Sequence, residues 1–195
     1  MRGIAKLLSS ATGGRVTPNG VTWFGFAMHL PIAYLIATGH LVWGGVLLIV
    51  FGLFDTLDGE LARLQGRVTE NGGFLDASTD RFKEVLLYSG VAYLLASGGH
   101  PKYAVIAVAA CGASICVSYV KAKGEAVVAS LGKKIPYTEL NKMFSGGVFP
   151  FEVRMVVLIV GLFADQVVVA VLAIALFSAL TALRRLAVIS RRLTA

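Results

Sequence analysis

Long uncharged runs separated by short polar breaks dominate the chain. Between Arg15 and Asp55 there is no Lys, Arg, Asp or Glu, and Thr38-Gly39-His40 breaks that stretch in two. Further uncharged runs cover 85–99, 103–120 and 166–183. A helix of about 20 apolar residues crosses the hydrocarbon of a bilayer. The pattern therefore predicts spans over about 21–37, 41–63, 74–96, 103–120, 150–164 and 166–183. Pro150 opens the fifth, Asp165 marks the turn after it, and Arg184-Arg185 closes the sixth. Residues 1–14 interleave Ile and Leu with Arg2 and Lys6, which predicts a short amphipathic helix on the membrane surface. The segment Val16–Thr22 holds Pro18 and Gly20 and reads as a turn whose Thr or Asn caps the next helix. The expected fold is an all-α integral membrane protein, with six transmembrane helices plus the short N-terminal amphipathic helix, in one domain over 1–195.

Composition agrees. Of the 195 residues 56% are hydrophobic and 15% charged, outside the range of soluble globular domains. A net charge of +7 on a soluble chain would suggest nucleic acid, but here its distribution explains it. With a cytoplasmic N-terminus, every one of the 18 Lys and Arg except Lys102 falls on the inner side. The expectation is a multi-pass protein of a prokaryotic cell membrane, with both termini cytoplasmic and no nucleic-acid partner. Cys111 and Cys116 lie in one apolar run and read as free thiols. The first fifteen residues have neither a long apolar core nor an evident cleavage site, so no signal peptide is expected.

The polar exception is the stretch Asp55–Asp80. Asp55 and Asp58 are three apart, Asp76 and Asp80 four apart, so each pair shares a helix face if the segment is helical. Ala62 lies on the stripe of the first pair and leaves room beside it. If the two helices are antiparallel neighbours joined near Gly66–Asn71, four carboxylates converge. Unpaired, they would repel and take up protons, and a hard divalent cation relieves that. Two such ions could clamp the attacking and leaving oxygens of a phosphoryl displacement. Both pairs abut uncharged runs, where carboxylates are costly and mark function.

The pattern Asp55-x2-Asp58-Gly59-x2-Ala62-Arg63-x8-Gly72-x3-Asp76-x3-Asp80 resembles the signature of the CDP-alcohol phosphotransferases. The resemblance implies a phospholipid-synthesis enzyme that transfers a phosphatidyl group from CDP-diacylglycerol, or an ether-lipid analogue, to an acceptor hydroxyl and releases CMP. It implies that Asp55, Asp58, Asp76 and Asp80 hold metal, two Mg²⁺ with Mn²⁺ as the alternative, and that Asp80 is the general base. It further implies that Pro18, Asn19, Gly20, Val21, Gly59, Ala62, Arg63, Thr69 and Gly72 contact the CDP-lipid, and that the protein is a homodimer. Arg63 offers a planar donor fork suited to a pyrophosphate, and Gly59 and Gly72 permit close approach. The alternative for both glycines is tight helix packing.

The segment Ser118-Tyr119-Val120-Lys121-Ala122-Lys123-Gly124-Glu125 is similar to one in bacterial and archaeal phosphatidylinositol phosphate synthases, with Lys123 in place of Arg and Gly124 in place of Ala. Lys121, Lys123, Arg154 and Arg185 are therefore the expected pocket for a phosphorylated polyol, inositol phosphate first. Positive-inside charge is the competing explanation for each. Glycerol 3-phosphate, serine or another alcohol is the alternative acceptor. A divalent-cation transporter is the alternative of another class, against which stand the placement of the carboxylates at one face and the lack of an inverted repeat.

Overall fold

The turn at Val16–Thr22 is a helix start of the expected kind. Thr17 is extended, its hydroxyl accepts a hydrogen bond from the Gly20 amide, and Pro18 occupies the first helical turn. Thr69 starts a later helix in the same way, its hydroxyl accepting from the Gly72 amide. The structure, a computed structural model, describes residues 1–130 and 149–194, with side chains as far as Arg191. The described residues form helices and no strand: α1 (Arg2–Ala11), α2 (Pro18–Ala37), α3 (Leu41–Gln65), α4 (Glu70–Ser97), α5 (Pro101–Ser130), α6 (Phe151–Phe163) and α7 (Val167–Thr194). Lys133, Lys134 and Lys142, assigned to the inner side from sequence, lie outside the described residues.

Helix α1 forms and packs on α3, with Ala5 fully buried against Val21, Leu57 and Leu61. Two helices outrun their predicted spans. α5 continues past Val120 to Ser130, where Lys121 and Glu125 pair at 3.9 Å on one face and the intervening residues are helix-compatible. α7 continues past Leu183 to Thr194. In both, loss of hydrophobicity ends the apolar run but not the helix.

Four helices among the described residues are long and apolar enough to cross a membrane: α2, α3, α5 and the part of α7 from Val167 to Arg191. α4 carries Asp76, Asp80, Arg81, Lys83 and Glu84 along its first half. α6 has 13 residues, which at 1.5 Å each is about 20 Å and short of a hydrocarbon core of about 30 Å. The chain therefore has the character of a membrane protein, with four helices of spanning length and composition among the described residues, all four of them among the six expected spans.

α2 is the central element. It packs along both α3 and α4, which have no comparable contact with each other among the described residues. This corrects the expectation that α3 and α4 are direct neighbours. A four-residue turn, closed by Gly66 at φ +63°, joins them, and they diverge around α2. A Cβ at Gly90 would lie 2.5 Å from the Ala33 carbonyl oxygen, so glycine there lets α2 and α4 approach this closely at that level. The core runs through Ile32, Ile36, Leu48, Leu87, Val91, Leu158, Leu162 and Ile174. Outward-facing Trp23, Trp43, Leu53, Val105, Leu176 and Leu180 are exposed, as a hydrocarbon solvent permits.

Candidate active site

The diverging ends of α3 and α4 hold the carboxylates. One oxygen each from Asp55, Asp76 and Asp80 lies within 4.8 Å of the other two. Asp58 stands outside this group, so the expected convergence of four carboxylates is three with the fourth beside them. The reason is a hydrogen bond between helices: the Thr22 hydroxyl, on α2, donates to Asp58 Oδ2 at 2.5 Å and holds it toward the N-terminus of that helix. Sequence reading missed Thr22.

It also missed Lys83. This side chain is 1% exposed, and its ammonium donates to Asp55 Oδ1 at 2.5 Å and to Asp80 Oδ1 at 3.2 Å. Lys83 sits one turn after Asp80, a spacing that could have flagged it, yet it was counted only as one more inner-side charge. Three hard oxygen donors from two helices suit a divalent cation.

Two cavities meet at Asp76. The first, of about 200 Å³, is lined by Pro18, Asn19, Thr22, Asp58, Gly59, Ala62, Arg63, Thr69, Gly72 and Asp76 among others. It brings together seven of the nine residues expected at the CDP-lipid. Gly20 and Val21 are not among them. The Gly20 amide is engaged by the Thr17 cap, and Val21 is buried against α1 and α3. The surroundings of the two glycines differ, Gly59 being open and Gly72 close to neighbouring side chains. A Cβ on Gly59 would meet only the Arg63 guanidinium at 3.6 Å, and one on Gly72 would meet Thr69 Oγ1 at 3.3 Å and Asn19 Oδ1 at 3.6 Å. Arg63 is itself held by Glu60 at 2.8 Å. Thr69, expected as a loop contact, is the α4 cap.

The second cavity, of about 520 Å³, opens on Asp76 and Asp80 and is lined on its far side by Arg81, Lys121, Phe151, Arg154 and Arg185. Three of the four expected acceptor residues are there. Lys123 is not: it faces a separate groove with Val127, Leu186 and Ile189, because two positions along α5 from Lys121 turn the side chain to another face. Arg154 is 1% exposed and donates to the Glu84 carboxylate at 3.3 Å and to the Phe149 carbonyl at 3.1 Å. Glu84, fully buried, also pairs with Arg81 at 3.3 Å, and both guanidinium groups lie over the Phe151 ring. Arg185 donates to the Val117 carbonyl at 3.0 Å, while its buried Nε makes no hydrogen bond. Arg81, in the wall of this cavity, and Glu84, buried behind it, were not foreseen.

Comparison with known proteins follows the same lines. The family model described as CDP-alcohol phosphatidyltransferase matches residues 15–176. A phosphatidylinositol phosphate synthase of Corynebacterium glutamicum is 40% identical over 126 residues, 63% of this chain and 56% of that protein. An archaetidylinositol phosphate synthase of Pyrococcus horikoshii is 34% identical over 122 residues, 63% of this chain and 61% of that protein. The chain thus spans little more than half the length of the curated relatives it matches. The phosphatidylinositol phosphate synthase of Mycobacterium tuberculosis, in complex with manganese and citrate, aligns with TM-score 0.80 and 26% identity, over 96% of this chain and 87% of that one. The same enzyme with CDP-DAG bound aligns with TM-score 0.80 at 24% identity, over 96% of this chain and 92% of that one, a likeness of fold. With the aspartate motif in place and the family model covering most of its length, the chain belongs to the CDP-alcohol phosphatidyltransferase family.

Proposed function

We propose that the chain is a phosphatidyltransferase of phospholipid synthesis. It moves a phosphatidyl group, from CDP-diacylglycerol or an ether-lipid analogue, to a phosphorylated polyol, inositol phosphate first, and releases CMP. One observation carries this reading. The two cavities, one lined by the motif residues and one by arginines, share Asp76, and Asp80 faces the arginine side. A donor and a phosphorylated acceptor bound one in each would meet at the carboxylates.

The reaction needs one nucleophile and one phosphorus. The acceptor hydroxyl oxygen attacks the phosphorus next to the lipid, Asp80 accepts the hydroxyl proton, and the bond to the CMP oxygen breaks. Asp55, Asp76 and Asp80, with Asp58 adjacent, would hold Mg²⁺, two ions in the loaded complex, with Mn²⁺ as substitute. When bound, the metal neutralises the pyrophosphate and the departing CMP. Arg63 offers its fork to the pyrophosphate, and Gly59 and Gly72 leave the backbone open to the nucleotide. Arg185, Arg81 and Lys121 face the acceptor phosphate, with Arg154 holding Glu84 behind them.

The whole chain acts as one domain in a prokaryotic cell membrane, with α4 and α6 completing six spans, the carboxylates at the cytoplasmic face and both termini on that side. The distribution of Lys and Arg supports this orientation. The outward apolar faces support a homodimer. A second reading keeps the donor and changes the acceptor to glycerol 3-phosphate or another alcohol. Lys123, which replaces an arginine of the resembled segment and faces away from the cavity, favours it.

The test is CMP release by the purified chain with CDP-diacylglycerol and Mg²⁺, in parallel with inositol 1-phosphate, glycerol 3-phosphate, serine and no acceptor. Release only with inositol 1-phosphate is expected. Release only with another acceptor would replace the acceptor and keep the mechanism. No release with any acceptor, repeated with ether-lipid donors, would end the enzyme reading.

A further inference from the structure

Lys83 stands where a cation belongs. It comes from α4, is 1% exposed, and reaches to Asp55 on α3 as well as to Asp80 one turn earlier on its own helix. Its ammonium donates to Asp55 Oδ1, and Asp55 and Asp80 are two of the three carboxylates grouped closely enough to hold a metal ion. It therefore competes for the same oxygen and the same room. Burial holds it there: at 1% exposure the ammonium is withdrawn from solvent, and Asp55 and Asp80 pair its charge.

We infer that Lys83 is a built-in cation of the carboxylate cluster, so that the nucleotide-free protein binds one divalent ion per chain rather than two. The inference rests on the metal-binding reading of the preceding subsection. Charge favours the same stoichiometry. Asp55, Asp58, Asp76 and Asp80 bring four carboxylates; Lys83 pairs with Asp55 and Asp80, Arg81 lies 3.7 Å from Asp80 and is shared with Glu84, and a single divalent ion offsets two of the remaining charges. A second divalent ion without the nucleotide's phosphates would leave the cluster positive and would sit against the ammonium. Lys83 also ties α3 to α4, which have little other contact with each other, and so keeps the cluster assembled without metal. Lys83 is thus a positioning residue: it acts through Asp55 and Asp80.

The experiment is a Mn²⁺ titration of the purified chain in detergent, without nucleotide or acceptor, with free Mn²⁺ followed by electron paramagnetic resonance. One ion per wild-type chain is expected, one for Lys83→Arg, and two for Lys83→Met. Melting in chelator and in Mn²⁺ gives a second readout. Lys83→Met should gain more from Mn²⁺ than wild type, because it alone lacks a resident cation. Two ions on the wild type would overturn the inference and leave the metal site standing. No bound ion would overturn the metal reading and the inference with it. A folded Lys83→Met that still binds one ion would also sink it. Should Lys83→Met not fold, the counts for wild type and Lys83→Arg decide.

Discussion

The two cavities that share Asp76 are built in opposite ways. The smaller one is lined by the start of α2, the end of α3, the turn after it and the start of α4. All but its α2 residues fall within one short stretch of sequence. The larger one draws on α4, α5, α6 and α7, and its defining contacts are distant in sequence: Arg154 to Glu84 spans 70 residues and Arg185 to Val117 spans 68. The first has carboxylates, glycines and hydroxyl caps. The second has guanidinium groups stacked on an aromatic ring around one buried carboxylate. A local site keeps its geometry through helix caps and spacing, whereas an assembled one depends on buried ion pairs for its shape.

The largest effect should come at the seam. Asp80→Asn keeps the side-chain shape but, on the proposed mechanism, removes the base that takes the acceptor proton. CMP release should fall about 10²- to 10⁴-fold while CDP-lipid binding is retained. Equal loss of donor binding would move Asp80 to the donor side and break the division drawn above. Asp76→Asn is the complementary variant. It belongs to both cavities and should lose metal-dependent nucleotide binding as well as turnover.

Next in size is the assembled cavity's support. Glu84→Ala leaves Arg154 buried and unpaired, which should cost about 3–5 kcal/mol of stability, seen as a lower melting temperature. No local variant of the donor cavity should approach that. Thr69→Ala, for example, removes only the α4 cap and should cost about 1 kcal/mol. Comparable losses from the two would mean that the acceptor cavity does not depend on its buried pair.

This contrast also explains what could be read in advance. The motif announced its carboxylates, its glycines and Arg63 because they lie at fixed spacings on two successive helices. Thr22 was not legible, since nothing in the sequence places α2 against Asp58. Nor was the position of α2 between α3 and α4, which a short connecting turn would argue against. Lys121 and Lys123 looked equivalent as two inner-side lysines, but only a helix running through Lys121–Ser130 separates their faces. Arg81 and Glu84 carried no motif, and only tertiary packing puts Arg81 in the wall of the larger cavity and Glu84 against Arg154 behind it.

Arg185 and Lys123 sharpen the comparison by a smaller amount. Arg185→Met removes a charged donor from the cavity wall, and the KM for the acceptor should rise about tenfold to a hundredfold with the donor KM unchanged. Lys123→Met should change neither. A rise with Lys123→Met would bring its groove into the acceptor site.

The most discriminating effects come from two glycine substitutions, which should differ in sign. At Gly90 an added Cβ meets the Ala33 carbonyl at 2.5 Å, and rigid backbone cannot yield cheaply. Gly90→Ala should therefore push α2 from α4 and cost about 1–3 kcal/mol, lowering the melting temperature while donor KM in the folded fraction stays near wild type. At Gly59 the nearest atoms are the tip of Arg63 at 3.6 Å, a flexible side chain. There alanine adds helix propensity worth about 1 kcal/mol, so Gly59→Ala should melt slightly higher. Its methyl projects beside Arg63 in the donor cavity, so the donor KM should rise severalfold. The same chemical change then weakens the fold at one position and the site at the other. If Gly59→Ala instead destabilised the protein and left the donor KM alone, Gly59 would be a packing residue like Gly90, and the nucleotide assignment of that cavity would have to rest on Arg63 and Gly72.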